Sequence, residues 1–227
     1  MNLTLWESNM TESHEQATPV KCAHCDKTMS TPVVCDYCHT IGPEAAVADH
    51  FTLLDLPRRF DLDPAEIHRK FLALSRHAHP DFHAEDTPEV QQLHLKVSAA
   101  LNDAYRTLKD PAARAAYLLS LFGGKSSADD KSVPDGFLGA MMMMQEELAD
   151  AIEADDHAEI TRIAEVLKTQ HDGLVRRIGT LFEQYQESVS CKAVVDDLLG
   201  ELRQQLNAVS YAKKLLLQAT NAEHAHG

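Results

Sequence analysis

Apolar residues recur along most of this chain at the spacing of helix faces. Ile67, Phe71, Leu74 and Ala78 follow one another at i, i+4, i+7 and i+11, which places them on one side of a helix. Val90, Leu93, Val97, Leu101, Ala104, Tyr105 and Leu108 repeat the pattern. Two such stripes joined by a polar loop predict a helical hairpin. Pro80 ends the first helix by disfavouring α geometry at His79. The loop then carries His79, Pro80 and Asp81 at its tip, while Arg69 and Arg76 lie opposite the apolar stripe. A short apolar segment, Phe51 to Pro57, precedes the hairpin. Asp110-Pro111 has the chemistry of a helix start, leading into Ala115, Tyr117 and Leu118.

A Gly/Ser/Asp/Pro run at 123–134 predicts a linker, and three more amphipathic segments follow. The first runs from about Asp135 to Ala154, with its stripe drawn through Leu138, Met141, Gln145, Leu148 and Ile152. The second uses Ile160, Ile163, Leu167, Leu174, Ile178, Leu181, Phe182 and Tyr185. The third uses Val195, Leu198, Leu199, Leu202, Leu206, Val209 and Leu216. Together they predict an antiparallel three-helix bundle over 135–220. Gly139, Met143, Glu146 and Asp150 fall on a second face of the first of these helices, with Met142 between the two faces. Methionine beside acids suits a surface that adapts to a partner, and it suits flexible core filling equally. Tyr211 sits opposite the stripe of its own helix.

Ahead of the helices, Cys22-x-x-Cys25 and Cys35-x-x-Cys38 form two knuckles separated by nine residues. Such a pair completes a closed tetrahedral site, so a small Cys₄ β-hairpin or zinc-ribbon module is expected over 20–42. Structural Zn²⁺ is the first reading of its metal, and iron on the same four ligands stays open. His24 and His39 lie beside the knuckles, but four cysteines already fill the shell. Neither knuckle lies in the βαβ setting of a redox pair. Cys191 has no partner and reads as a bystander thiol.

Charge changes the picture in one respect. The 227 residues carry a formal charge of −14, which argues against nucleic acid as a ligand. The excess is uneven: ten Lys/Arg face eleven Asp/Glu over 48–126, but nine face eighteen over 127–227. The basic outer face of the hairpin therefore stands out against an acidic body. No stretch has the length of a membrane span. The first twenty residues contain no Arg and lack the apolar core of a secretory signal, so a cytoplasmic, bacterial setting is expected. No HExxH or comparable catalytic spacing occurs among the 13 histidines, and no enzymatic activity is expected.

"DHFTLLDLP", "FDLDPAEIHRKFLALSRHAHPDFH" and "LNDAYRTLKDPAARAAYLL" resemble the J-domain of the HscB family, co-chaperones of iron–sulfur cluster assembly. "DGFLGAMMMMQEELADAI" resembles the start of that family's C-terminal domain. The resemblance implies a mostly α chain: a free N-terminus over 1–19, the Cys₄ module, a J-domain over 48–122, the linker, the bundle and a tail over 221–227. It implies that His79, Pro80 and Asp81, with the basic face of Arg69, Lys70 and Arg76, contact a DnaK/HscA-class ATPase chaperone. It implies that Leu138, Met142, Met143, Glu146, Asp150 and Tyr211 bind an IscU-like scaffold protein. Gly139 and Met143 depart from the apolar and acidic residues usual there. Some relatives carry a comparable double-CxxC module before the J-domain. The alternative reading is a general J-domain protein for unfolded clients, although no Gly/Phe-rich linker or long multi-CxxC repeat is present.

Overall fold

The computed structural model describes residues 21–22, 24–29, 33–78, 87–188 and 190–224. His79, Pro80 and Asp81 lie outside the described residues, as do 1–20 and 225–227. Among the described residues the chain is helical, and its β structure is limited to two isolated antiparallel bridges, Lys21 with Thr28 and Val34 with Ile41. In the expected Cys₄ module, one antiparallel bridge closes over each knuckle. The helices are α1 (His50–Leu53), α2 (Pro64–Ala78), α3 (Pro88–Lys109), α4 (Pro111–Leu121), α5 (Phe137–Glu153), α6 (His157–Glu187) and α7 (Lys192–His224). They fall into two compact units that divide between Asp110 and Pro111.

In the first unit a 3-10 turn, Pro43–Ala46, leads from the cysteine module and packs on α3. Asp49 starts α1 by capping it. Its carboxylate accepts from the Phe51 and Thr52 amides at 2.9 and 3.2 Å and from the Arg58 guanidinium at 2.8 Å. Burial opposes the charge, but the bonds from Arg58 and Thr52 outweigh it and hold the carboxyl below its ordinary range. The short segment seen in the sequence is core: Phe51, Leu53 and Leu54 are fully buried. α2 packs along α3, with Phe71 stacked on Tyr105 at 4.2 Å and the Tyr105 hydroxyl 3.0 Å from the His68 ring. The stripe of α3 begins at His94, which is buried with Val97, Leu101, Ala104 and Leu108. Val90, drawn into that stripe from the sequence, is exposed.

In the second unit α6 and α7 form the longest contact, with α5 packed on both. Met141, Leu148, Ala151, Ile160, Ile163, Leu167, Leu215 and Ala219 make one core cluster. α4 joins α7 and α6 and buries Leu118 and Leu119, so the expected three-helix bundle has a fourth member. Phe122, just past α4, stacks on Tyr185 of α6 at 4.6 Å. The glycine-rich linker is held down as well. The Asn207 side-chain amide donates to the carbonyls of Asp130 and Ser132 at 3.0 and 2.8 Å. Gly136, with φ of +76°, supplies the left-handed turn from which α5 starts. No described helix is long and apolar enough to cross a membrane.

Candidate functional site

The two knuckles are built on one backbone frame. In the first, the Cys22 amide donates to Lys27 O and the Asp26 amide to Cys22 O, both at 2.9 Å. In the second, the Cys35 amide donates to Thr40 O and the His39 amide to Cys35 O, both at 3.0 Å. The fifth residue of each, Asp26 and His39, has a positive φ, 58° and 56°, which turns the chain back towards the sulfurs. An amide inside each turn also points at sulfur: His24 N to Cys22 Sγ at 3.4 Å and Tyr37 N to Cys35 Sγ at 3.5 Å.

The frame brings the four expected ligands together. Cys22 Sγ lies 3.5 Å from Cys38 Sγ, Cys25 Sγ lies 3.6 Å from Cys35 Sγ, and all four sulfurs are within 4.8 Å of one another. A tetrahedron of sulfurs about 2.3 Å from a central zinc has edges of about 3.8 Å, so the donor set fits a metal ion. Two of the thiols are shifted, in opposite directions. The Thr40 hydroxyl and amide hold the Cys38 thiol down at about 6. Cys25 goes the other way, to about 12: the Lys27 amide favours its thiolate, but burial and the three neighbouring sulfurs outweigh that. Four thiolates this close need a cation among them.

The second knuckle sits directly against α2. His39 stacks on His77 with centroids 4.4 Å apart and planes 12° apart. A cavity of about 380 Å³ separates Val33 and Val34 from Leu54, Ala73 and Leu74. Burial, then His39 and Arg76, pull the His77 ring below its ordinary value, which favours the neutral form that stacks. This pairing was not anticipated, because nothing in the spacing of a CxxC motif says which helix its loop will touch.

The three expected basic residues of α2 differ in role. Arg69 and Arg76 are exposed, and Glu66 lies 3.8 Å from Arg69. Lys70 is half-buried and turns inward, binding the carboxylate of Asp55 at 2.6 Å and the Asp55 carbonyl. It ties α2 to the turn after α1, where Asp55 has φ of 52°.

In the second unit the α5 face is rotated from the sequence reading. Leu138 and Gln145, expected in the core stripe, are exposed, and Phe137 and Met144 pack against the core instead. Met142, Met143 and Tyr211 are 63%, 64% and 52% exposed, whereas Met141 is 6% exposed. Glu146 and Asp150 are exposed on the same helix. Tyr211 of α7 reaches this region, since one cavity is lined by Met141, Gln145 and Tyr211 together.

Two family models match the chain in sequence. Residues 49–117 match the DnaJ domain, and residues 133–219 match the HscB C-terminal oligomerisation domain. A J-domain followed by this C-terminal domain defines one group of co-chaperones. The chain belongs to the HscB family. Solved structures agree with that assignment. A crystal structure of the human co-chaperone protein HscB matches with a TM-score of 0.73 at 24% identity, covering 91% of this chain and all of that one. The chaperone HscB from Vibrio cholerae matches with a TM-score of 0.63 at 26% identity, covering 79% of this chain and all of that one. The family is one of J-domain co-chaperones, and ahead of the J-domain four cysteines are positioned to hold a metal ion. The DnaJ match runs past Asp110 into α4, the helix that packs in the second unit.

Proposed function

We propose that this protein carries an IscU-like iron–sulfur scaffold to a DnaK/HscA-class chaperone and stimulates that chaperone's ATPase. The observation that carries the reading is the exposed apolar group Leu138, Met142, Met143 and Tyr211, beside Glu146 and Asp150, in a domain of HscB type. Exposed methionines on α5 and an exposed aromatic on α7 suit a surface that loses little by folding and gains by binding. The scaffold would cover this face. The J-domain match, with Arg69 and Arg76 held outward on α2, supports the chaperone contact. His79, Pro80 and Asp81 would complete that contact. An aspartate accepting from a partner arginine gains roughly 1.5–3 kcal/mol. Cys22, Cys25, Cys35 and Cys38 would hold structural Zn²⁺, which supplies roughly 10–16 kcal/mol of folding energy in such sites. The protein itself would perform no bond chemistry and act by bringing two partners together.

The test is steady-state ATPase of the chaperone with scaffold present. His79→Gln is expected to abolish stimulation while scaffold binding, read by calorimetry, is unchanged. Full stimulation by that variant refutes the J-domain role. Stimulation by unfolded clients but not by scaffold favours a general J-domain protein.

A further inference from the structure

The expected scaffold face ends at Tyr211, but the surface around that residue does not. Two adjoining cavities share Tyr211 and Lys214. The smaller, about 110 Å³, opens towards Met141 and Gln145 of α5. The larger, about 420 Å³, opens the other way, towards Ser127 and Lys131 of the linker and Ser210 of α7. They form one trough that crosses α7, with the exposed ring of Tyr211 as its ridge.

Three observations give the trough a chemistry. First, Lys131 and Lys214 are exposed and neither makes an ion pair among the described residues, in a region with nine Lys/Arg against eighteen Asp/Glu. Second, Lys131 stands on fixed backbone. Its neighbours Asp130 and Ser132 are the two residues whose carbonyls Asn207 holds, and Asn207 is only 7% exposed. The Ser132 amide also donates to the Asp130 carboxylate at 2.9 Å. A cation on a pinned loop costs less entropy to engage than one on a free linker. Third, Tyr211 is 52% exposed and lines both cavities with Lys214, and among the described residues its hydroxyl has no hydrogen-bond partner.

Taking the scaffold-binding reading above as its basis, we infer that this trough is an additional part of the scaffold interface and that Lys131, Tyr211 and Lys214 receive a carboxylate-bearing segment of the scaffold. The interface would then have a charge polarity. Acids of this protein, Glu146 and Asp150, lie at the α5 end, and lysines lie at the linker end. A partner seated the wrong way round would meet like charges at both ends, so the arrangement selects orientation more than it adds raw affinity.

The experiment is calorimetric titration of the full-length protein with an IscU-type scaffold, at low and at physiological salt. Lys131→Glu and Lys214→Glu are each expected to weaken binding about three- to fivefold at low salt, as for exposed interfacial pairs. The double variant should lose much of the salt dependence shown by the unaltered protein. Lys168→Glu on α6, which lines neither cavity, is the charge-matched control and should bind normally. Thermal melts establish that all variants fold. Unchanged affinity and unchanged salt dependence in the double variant, with binding still lost on truncating Met142 and Met143, overturn this inference alone. Unchanged affinity in the methionine variants too overturns the scaffold-face reading with it. A loss equal to that of Lys168→Glu shows a general charge effect and also overturns the inference.

Discussion

Four consecutive methionines at the head of α5 offer a test in which one side-chain type occupies very different environments. Met141 is 6% exposed and belongs to the cluster of Leu148, Ile160, Ile163 and Leu215, while Met142 and Met143 are 63% and 64% exposed. Truncating a buried methionine to alanine removes its transfer energy and leaves a cavity, at a cost of about 2–5 kcal/mol. Met141→Ala should fall within that range, towards its lower end because helix ends relax more easily. Met142→Ala and Met143→Ala lose little burial and gain helix propensity, so each should change stability by less than about 0.5 kcal/mol. Met144 packs partly on the core and should lie between. In a unit of this size each kcal/mol moves the melting temperature by roughly 2–8 °C, so the contrast is easily read by thermal and urea denaturation. Scaffold titration should reverse the order. Met142→Ala and Met143→Ala each weaken binding by about 1 kcal/mol or more if they sit at the centre of the interface. A destabilisation at Met142 as large as at Met141 would show that the helix face is misassigned, and the case for a binding surface there would fall with it.

Other outcomes follow from single features. The purified protein should hold about one zinc per chain by elemental analysis, and the Cys22→Ser, Cys25→Ser double variant should lose it; full metal retention would show a different ligand set. Asp49→Ala should cost about 1–2 kcal/mol at pH 7 through lost capping of α1. Because the folded carboxyl titrates below its ordinary value, its contribution is full above the unfolded value near 4 and disappears as pH falls through the folded one, so the difference between variant and parent in urea denaturation should shrink at acid pH. Gly200 lies inside α7 with open space where a Cβ would stand, so Gly200→Ala should stabilise by about 0.8–1 kcal/mol in the same assay.

The helices were legible because apolar period and capping residues agree. Ile67, Val97, Leu101, Ile178 and Leu202 all lie where the stripes put them. Phase was harder to read where the residues did not discriminate. In Phe137-Leu138-Gly139-Ala140 followed by four methionines, nearly every rotation of the helix buries something apolar, and Leu138 was assigned inward when Phe137 is the residue that packs. His94 was missed for the opposite reason: hydropathy hides a histidine that occupies the next position of a stripe. The cysteine ligands were visible in their spacing, but the seating of the module on α2 depends on His39 meeting His77, a contact across 38 positions that no local pattern encodes. α4 reads as the end of a J-domain and packs in the second unit, which only tertiary structure decides. Asn207 left one faint sign, a polar residue inside the apolar run from Leu206 to Val209.

The two knuckles share a backbone but differ in how they are rooted. Where the first has Lys21 and Thr28 at its bridge, both exposed, the second has Val34 and Ile41, both buried. Among the described residues, the buried side chains of the first, Cys22 and Met29, cluster with the other cysteines. The second is anchored by hydrocarbon, and the first hangs from it through the metal site. Losing the ion would therefore dismantle the module from one side. A protease offered the chelated protein would find residues 21–28 an open substrate, while 33–42 stayed protected by Val33, Val34 and Ile41. An ion bound there would act as a hinge pin for half a module: its withdrawal would detach the outer leaf and leave the inner one on the door.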